Sequence, residues 1–421
     1  MAEFSRIPVS NLVATGEAEL KTGPFGTQLK ASDYTEQGTP VINVRNIGFG
    51  GIRADKLEFI SAATRDRLSS HVLKIGDVVF GRKGAVERHV FIRAEQDGWF
   101  QGSDCLRLRF ASQRVEPLFA SYYFLTSEHQ HWMMNQCSHG ATMASLNQEI
   151  LARIELPVPP MPIQRRIAGI LSAYDELIEN NQRRIKILES MARALYREWF
   201  VHFRYPGHES VPLVDSPLGN IPQGWEVKKL CEFVQFKSGF AFKTGMFTQD
   251  GEHRLVTIKN VQDGAFNPDS DSLLGELPPK LPPYCILNDG DILLSLTGNV
   301  GRVCLVYDGP FLLNQRVSKL VPVESCDWSM LYYMFREPEM RVRLEQISNG
   351  VAQQNLSPIL AAQMDFICPP LALRKKFADL TEPMALQTVK LYTTIKNLRR
   401  TRDLLLPRLL SGQIDVEAMP A

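Results

Sequence analysis

The chain repeats itself once, and the length of the repeat decides what it can fold into. Gly76-Asp77-Val78-Val79-Phe80 returns as Gly290-Asp291-Ile292-Leu293-Leu294, Gly84 as Gly298 and Arg88 as Arg302, all 214 residues further on. Pro40-Val-Ile-Asn-Val-Arg-Asn-Ile47 answers to Leu255-Val-Thr-Ile-Lys-Asn-Val261 at the same offset. Later pairs sit 210 residues apart: Tyr122-Tyr123 with Tyr332-Tyr333, Gly140 with Gly350, Leu146 with Leu356, and Pro159-Pro160 with Pro369-Pro370. Solenoid repeats run to about 20–50 residues, so a unit this long is a whole domain used twice. The chain therefore presents two similar surfaces.

Bulk properties narrow the class. At 421 residues there is room for several separate cores. A hydrophobic share of 44% with 22% charged residues is ordinary for a soluble globular protein. Met1 to Arg6 carries no apolar signal region, and no run approaches the ~18 apolar residues of a membrane span. The seven cysteines (105, 137, 231, 285, 304, 326, 368) form no C-x-x-C pair, so reduced core thiols and a cytoplasmic location are expected. Net charge is only +1. Yet Lys390, Lys396, Arg399, Arg400, Arg402 and Arg408 face Asp403 alone, as either a solvated helix face or a phosphate-facing stripe.

Periodicity divides the chain. Residues 1–157 alternate short β-rich runs (41–47, 77–80, 89–93, 105–110) with turns, then become helical from about 116, with a loop at Ser138-His139-Gly140. The proline-rich segment 156–162 is extended. Ile167, Leu171, Tyr174, Ile178, Asn181, Ile185, Leu188, Ala192, Leu195 and Trp199 then alternate by four and three, a heptad seam. Residues 225–367 repeat the plan, with strands near 255–261, 291–296, 303–307 and 316–321 and a helical part from 328. A second seam follows through Phe377, Met384, Leu391, Ile395, Leu398 and Leu405, roughened by Thr381, Thr388 and Arg402. Pro383 should end or kink a segment there. Tyr205 to Gly224, rich in proline and glycine, is a linker.

The expected fold is α+β. Two similar domains (1–157 and 225–367) are joined by two long helices (158–204 and 368–412) forming an antiparallel coiled coil, in a pseudo-twofold internal repeat with a tail at 413–421. Asn181 on the seam either fixes register or turns to solvent.

Motifs for covalent chemistry are absent. Leu281-Pro282-Pro283-Tyr284 resembles the Asn/Asp-Pro-Pro-Tyr box of amino-methyltransferases, but leucine cannot accept the hydrogen bond that box needs. Phe49-Gly50-Gly51 lacks the helix and acid of a dinucleotide loop and reads as a turn. Pro268-Asp269 with Glu276 and Lys280 lacks the Glu-x-Lys spacing of a metal nuclease. No G-x-x-x-x-G-K-[ST] loop exists for ATP, and the eight histidines show no metal-ligand spacing.

Three stretches carry a family resemblance. Lys21-Thr-Gly-Pro-Phe-Gly-Thr-Gln-Leu29 with Asp33-Tyr34 looks like an opening. Trp199-Phe200-Val201-x-Phe203 followed by Ile221-Pro222-x-Gly224-Trp225 looks like a central junction, and Leu405-Leu-Pro-Arg-Leu-Leu-Ser-Gly412 like a C-terminal signature. Together the chain resembles the specificity subunit of type I restriction–modification systems over essentially its whole length. That resemblance implies two target-recognition domains, each reading half of a bipartite double-stranded DNA sequence, with the helices as spacer. It also implies two modification (methyltransferase) subunits and restriction (translocase/nuclease) subunits as partners. S-adenosylmethionine, ATP and Mg would belong to those partners and none to this chain. A helical pair roughly 50 Å long exceeds the about 34–36 Å of one DNA turn, so the recognised halves should lie about a turn apart. The competing readings are a free-standing DNA methyltransferase and a coiled-coil assembly protein.

Readers of DNA should be polar side chains on loops, differing between copies. The candidates in the first copy are Gln28 and Lys30 in the glycine-bounded loop, Arg45 and Asn46 after a strand, the turn residues Arg82 and Lys83, and Arg88. Those in the second are Lys237 and Lys243 in the comparable loop, Lys259, Asn260, Thr297, Asn299, Arg302, and Gln315-Arg316 as the replacement for Gly102-Ser103. Arginine and asparagine suit guanine and adenine edges in the major groove. Asp77 and Asp291 are expected to form turns instead.

Overall fold

The computed structural model describes residues 4–137, 144–348 and 354–418. Gly140, Gly350 and the expected loop at Ser138-His139-Gly140 lie outside them. Two compact units form, one from Met1–Glu176 with Leu398–Ala421 and the other from Leu177–Asn397. They are called unit 1 and unit 2 below.

The two units repeat one topology. Unit 1 has a main sheet in the order Ala18–Thr22, Cys105–Phe110, Val78–Gly81, His89–Phe91, Phe49–Gly50. In unit 2 the corresponding order is Val234–Ser238, Val317–Pro322, Ile292–Ser295, Val303–Leu305. Each also has a smaller sheet built on one parallel pair, Val41 beside Phe100 and Leu255 beside Leu312. An antiparallel pair of the strand that opens each copy with the one before its long helix completes the plan: Arg6–Pro8 with Glu155–Pro157, and Glu226–Lys229 with Asp365–Cys368. The central strands are buried on both faces. Val78 and Phe80 join one apolar cluster while Val79 joins another, as the two-residue strand period requires.

Several expected strands come out shorter, among them the run from 303, which ends at Leu305. The run from 41 stops at Ile42 and that near 255 at Val256, because Asn46 and Asn260 fold the next residues into tight turns. The run from 89 ends at Phe91. The helical parts resolve into Pro117–Phe124, Ser127–Cys137 and Gln148–Ala152, and again into Trp328–Phe335, Pro338–Gln346 and Pro358–Ala362.

The first long helix runs Met161–Tyr196 and continues as a π-helical turn, Arg197–Val201; the second runs Leu371–Leu410. No residue of the first seam is exposed, and Asn181 is buried, so it does not turn to solvent. In unit 1, Ile167 and Leu171 from the start of the first helix share a core with Leu406, Leu409 and Leu410 from the end of the second. In unit 2 the reverse holds: Phe200 packs edge-on against Phe377, ring centroids 4.9 Å apart. Taken separately, each unit thus has an antiparallel helix pair. The rough places of the second seam are hydrogen-bonded. Thr381 donates to the Phe377 carbonyl (2.9 Å), Thr388 to that of Met384 (3.0 Å), and Arg402 to Asp175 (2.6 Å).

Pro383 does not end the second helix. It lies on an exposed face, as does Asp379, whose carbonyl it leaves without a helical donor, while its neighbours Thr381 and Ala385 are buried. The segment 205–224 is not loose chain. Tyr205 and Ile221 join the unit 2 core, and Leu213–Val214 pairs with Ile221–Pro222. Five cysteines are buried, but Cys231 is exposed and Cys326 half-buried.

Candidate nucleic-acid interface

One end of each main sheet repeats bond for bond. In unit 1 the Arg82 N–H donates to the Asp104 carbonyl (2.9 Å), the Leu146 N–H to the Arg82 carbonyl (2.8 Å) and the Gly84 N–H to the Ala144 carbonyl (3.0 Å). In unit 2, Leu296 donates to Arg316 (3.0 Å), Leu356 to Leu296 (2.8 Å) and Gly298 to Gln354 (3.1 Å). Lys83 lies opposite Ser145 as Thr297 lies opposite Asn355. Gly84 (φ +76°) and Gly298 (φ +73°) hold the same left-handed turn. The glycine-bounded loop closes on this frame. The Gly23 N–H donates to Cys105 and that of Gly239 to Val317. A Cβ on Gly23 would come within 1.9 Å of the Gly102 oxygen, and on Gly239 within 2.3 Å of the Asn314 carbonyl, so only glycine fits.

These bonds correct the expected pairing of the copies. Leu108 faces Val78 as Leu320 faces Ile292, an offset of 212 along this strand. Hence Gly102, Ser103 and Asp104 correspond to Asn314, Gln315 and Arg316; Gln315-Arg316 does not replace Gly102-Ser103. The sequence signal of this offset is the basic residue followed by leucine, Arg107-Leu108 and Lys319-Leu320. Without it, Asp104 does not stand out as a candidate.

The candidates sort by what holds them. Gln28, Lys30, Lys243, Lys259, Asn299, Gln315 and Arg316 are exposed. The Gln28 carbonyl accepts from Arg67 (2.9 Å), and the Lys30 N–H donates to Asp33 (2.7 Å), which with the Arg67 charge holds that carboxyl below the usual range. Arg45 is exposed but ion-paired with Glu58 (2.6 Å), and Lys83 sits 3.6 Å from Asp104. Arg82 is half-exposed, whereas its counterpart Leu296 is buried. The Thr297 hydroxyl is buried without a partner among the described residues. Lys237 is not in the loop. It lies within the strand Val234–Ser238, across from Lys319 and over the Tyr284 ring. Arg88 over the Phe49 ring and Arg302 donating to the Gln262 side-chain Oε1 (2.5 Å) are pinned rather than presented.

Asn46 and Asn260 leave the set of readers. Both are buried, and each clamps its own loop: Asn46 accepts from the Asn43 N–H and donates to the Arg53 and Asp55 carbonyls. Asn260 accepts from Thr257 and donates to the Asn267 and Asp269 carbonyls. Neither has an amide left for an adenine edge. Asp77 and Asp291 form turns as expected, accepting from Lys74 (2.8 Å) and Asn288 (2.9 Å). Each also takes a cation from the next strand, Arg109 (2.6 Å) or Lys319 (2.8 Å). Of the basic run near the C-terminus, Lys396 is tied to Asp308 and Arg402 to Asp175, while Lys390, Arg399, Arg400 and Arg408 are exposed.

The sequence profile of the type I restriction modification DNA specificity domain matches residues 26–190 and again 222–397, most of the chain. The chain belongs to the type I restriction–modification specificity subunits. Relatives include the type I restriction enzyme MjaIX specificity subunit of Methanocaldococcus jannaschii, 28% identical over 71% of this chain and 69% of its own length. The HindI specificity subunit of Haemophilus influenzae is 20% identical over 81% and 87%. The crystal structure of a type I restriction–modification S subunit from M. genitalium shares the fold, with a TM-score of 0.61 at 16% identity over 96% of both chains.

In this specificity subunit the paired asparagines make a direct contrast with their neighbours. Asn46→Ala strands two carbonyls and one N–H in a buried loop, so thermal denaturation should show a loss of roughly 2 kcal/mol or more. Lys259→Ala, one residue before Asn260 and fully solvated, should change stability by less than about 0.5 kcal/mol. Equal losses at the two positions would contradict the clamp.

Proposed function

We propose that each unit of this specificity subunit reads one half of a bipartite double-stranded DNA target, while the two long helices fix the spacing and dock two modification subunits. The observation that carries this is the repeated loop frame: the backbone hydrogen bonds are kept between units, and the side chains mounted on them change. A frame that repeats while its polar groups differ suits the reading of two different words. The first helix, 36 residues and thus about 54 Å long, outreaches the about 34–36 Å of a DNA turn.

In this reading the chain performs no covalent step. S-adenosylmethionine, ATP and Mg are held by modification and restriction subunits, which also supply phosphate contacts; that suits a scaffold of net charge +1. No described helix is long and apolar enough to cross a membrane, and the place of work is the cytoplasm, beside the DNA. The test is an exchange of residues 225–365 for those of another specificity subunit, with methylated adenines mapped in cells. One half of the motif should change and the other persist. A change in both halves, or tight S-adenosylmethionine binding by this chain alone, would overturn the proposal.

A further inference from the structure

The position shared by Asp104 and Arg316 carries opposite charges on one backbone site. Each carbonyl accepts the corresponding ladder bond, from Arg82 at 2.9 Å and from Leu296 at 3.0 Å. Each follows a turn packed against the glycine-bounded loop, whose Gly23 and Gly239 touch the residue two before it, Gly102 or Asn314. The Arg316 N–H is held by the Asn314 side chain (3.3 Å), and among the described residues its guanidinium meets no hydrogen-bond or ion-pair partner. Asp104 is exposed and lies 3.6 Å from Lys83, also exposed.

We infer that Asp104 and Arg316 are specificity-determining residues, each setting the preference at one base pair of its own half-site; this rests on the two-reader function proposed above. Three observations separate base reading from phosphate attraction. First, the cluster charge is matched: Arg82 and Lys83 less Asp104 leave one positive charge, and Arg316 with neutral Leu296 and Thr297 leaves the same. These matched positions thus carry equal net charge while their donor and acceptor pattern differs. Second, a carboxylate is repelled by phosphate, so Asp104, whose 3.6 Å contact with the exposed Lys83 is long for an ion pair, gains from DNA itself by accepting from a base amino group such as cytosine N4. Third, a guanidinium that meets no partner among the described residues, on a clamped loop, can make the two-point bond to guanine O6 and N7, whereas Arg45, Arg88 and Arg302 are already engaged.

The experiment uses the assembled methyltransferase complex. The wild-type motif is first mapped from methylated adenines, then duplexes carrying each single base change are competed for binding. Arg316→Ala should relax one G·C pair in one half-site by roughly tenfold to a hundredfold and leave the other half-site untouched. Arg316→Lys keeps the charge but loses the fork, so it should relax the same pair. Asp104→Asn should alter one pair in the opposite half. Both side chains lie at the surface, and unchanged melting of the variants confirms that folding is intact. A uniform loss on every duplex, restored by lysine and accompanied by a shallower salt dependence, would mark Arg316 as a phosphate contact and overturn the inference. An unchanged motif, or changes in both halves, would do the same. If the wild-type motif is not bipartite, it is the two-reader function that fails.

Discussion

Lowering the pH from 7.5 to 5 should unfold unit 1 well before unit 2. His89 and His129 are buried in unit 1, and burial pushes both down to about 3 from an ordinary value near 6.5. Each is neutral in the fold and gains its proton only on unfolding. A depressed histidine leaves stability intact above about pH 6.5 and removes it as the pH falls toward the folded value. By pH 5 the pair should cost about 4 kcal/mol, roughly 2 for each group. His71, pushed down to about 4 mainly by burial, adds to the same trend.

Unit 2 has no such load. Its described histidines, His202, His208 and His253, are exposed or half-buried, and burial raises its carboxyls Asp327 and Glu189, which favours the fold on acidification. The contrast is local: His89 Nε2 meets Ser121 Oγ at 2.9 Å, where unit 2 places the apolar, fully buried Val303 and Leu331. Hydrogen exchange followed region by region at pH 7.5 and 5, corrected for the intrinsic rate, should show protection lost first across 78–137. His89→Val with Ser121→Ala should remove about half of the acid effect. Equal loss in the two units would refute the assignment.

Arg374→Gln should destabilise unit 2 by about 3–5 kcal/mol even though unit 1 uses glutamine at the matching helix position. Gln164 donates to the Pro159 carbonyl (2.8 Å) and Arg374 to that of Pro369 (3.2 Å), so the two side chains share one task. Arg374 has a second. It neutralises Asp327, whose side chain is only 1% exposed and whose carboxyl is pushed up by burial despite the arginine. Unit 1 has Pro117 there and no charge to balance. Removing the guanidinium leaves a buried carboxylate alone, which costs more than the pair contributes. Chemical denaturation should therefore show most of the loss recovered in Asp327→Asn/Arg374→Gln. A double variant as unstable as the single one would place the arginine's value in its packing instead.

Much of this architecture was legible because it rests on periodicity. A heptad seam needs only spacing to be read, and its ten positions in the first helix are all buried or partly buried. The duplication was equally plain. The candidate interface was harder. The exposed residues Arg316, Gln315 and Lys243 could be named from comparing the two copies, because a polar side chain between apolar runs is visible in one dimension. Asn46 and Asn260 could not be told from readers, since the loop atoms that consume each amide, three at Asn46 and four at Asn260, come from up to nine residues away. Asp104 stayed hidden because the contraction from 214 to 212 residues falls in a stretch with little identity, and only the strand register fixes it.

The pair of domains, the pair of helices and the family follow from the residue order alone, since recurrence and hydrophobic period survive in any order-preserving reading of a chain. The tertiary structure decided which residues of the two copies stand at the same place and which polar groups remain unspent. Those facts depend on hydrogen bonds between distant segments, and a bond is satisfied or left open only once the chain has closed on itself.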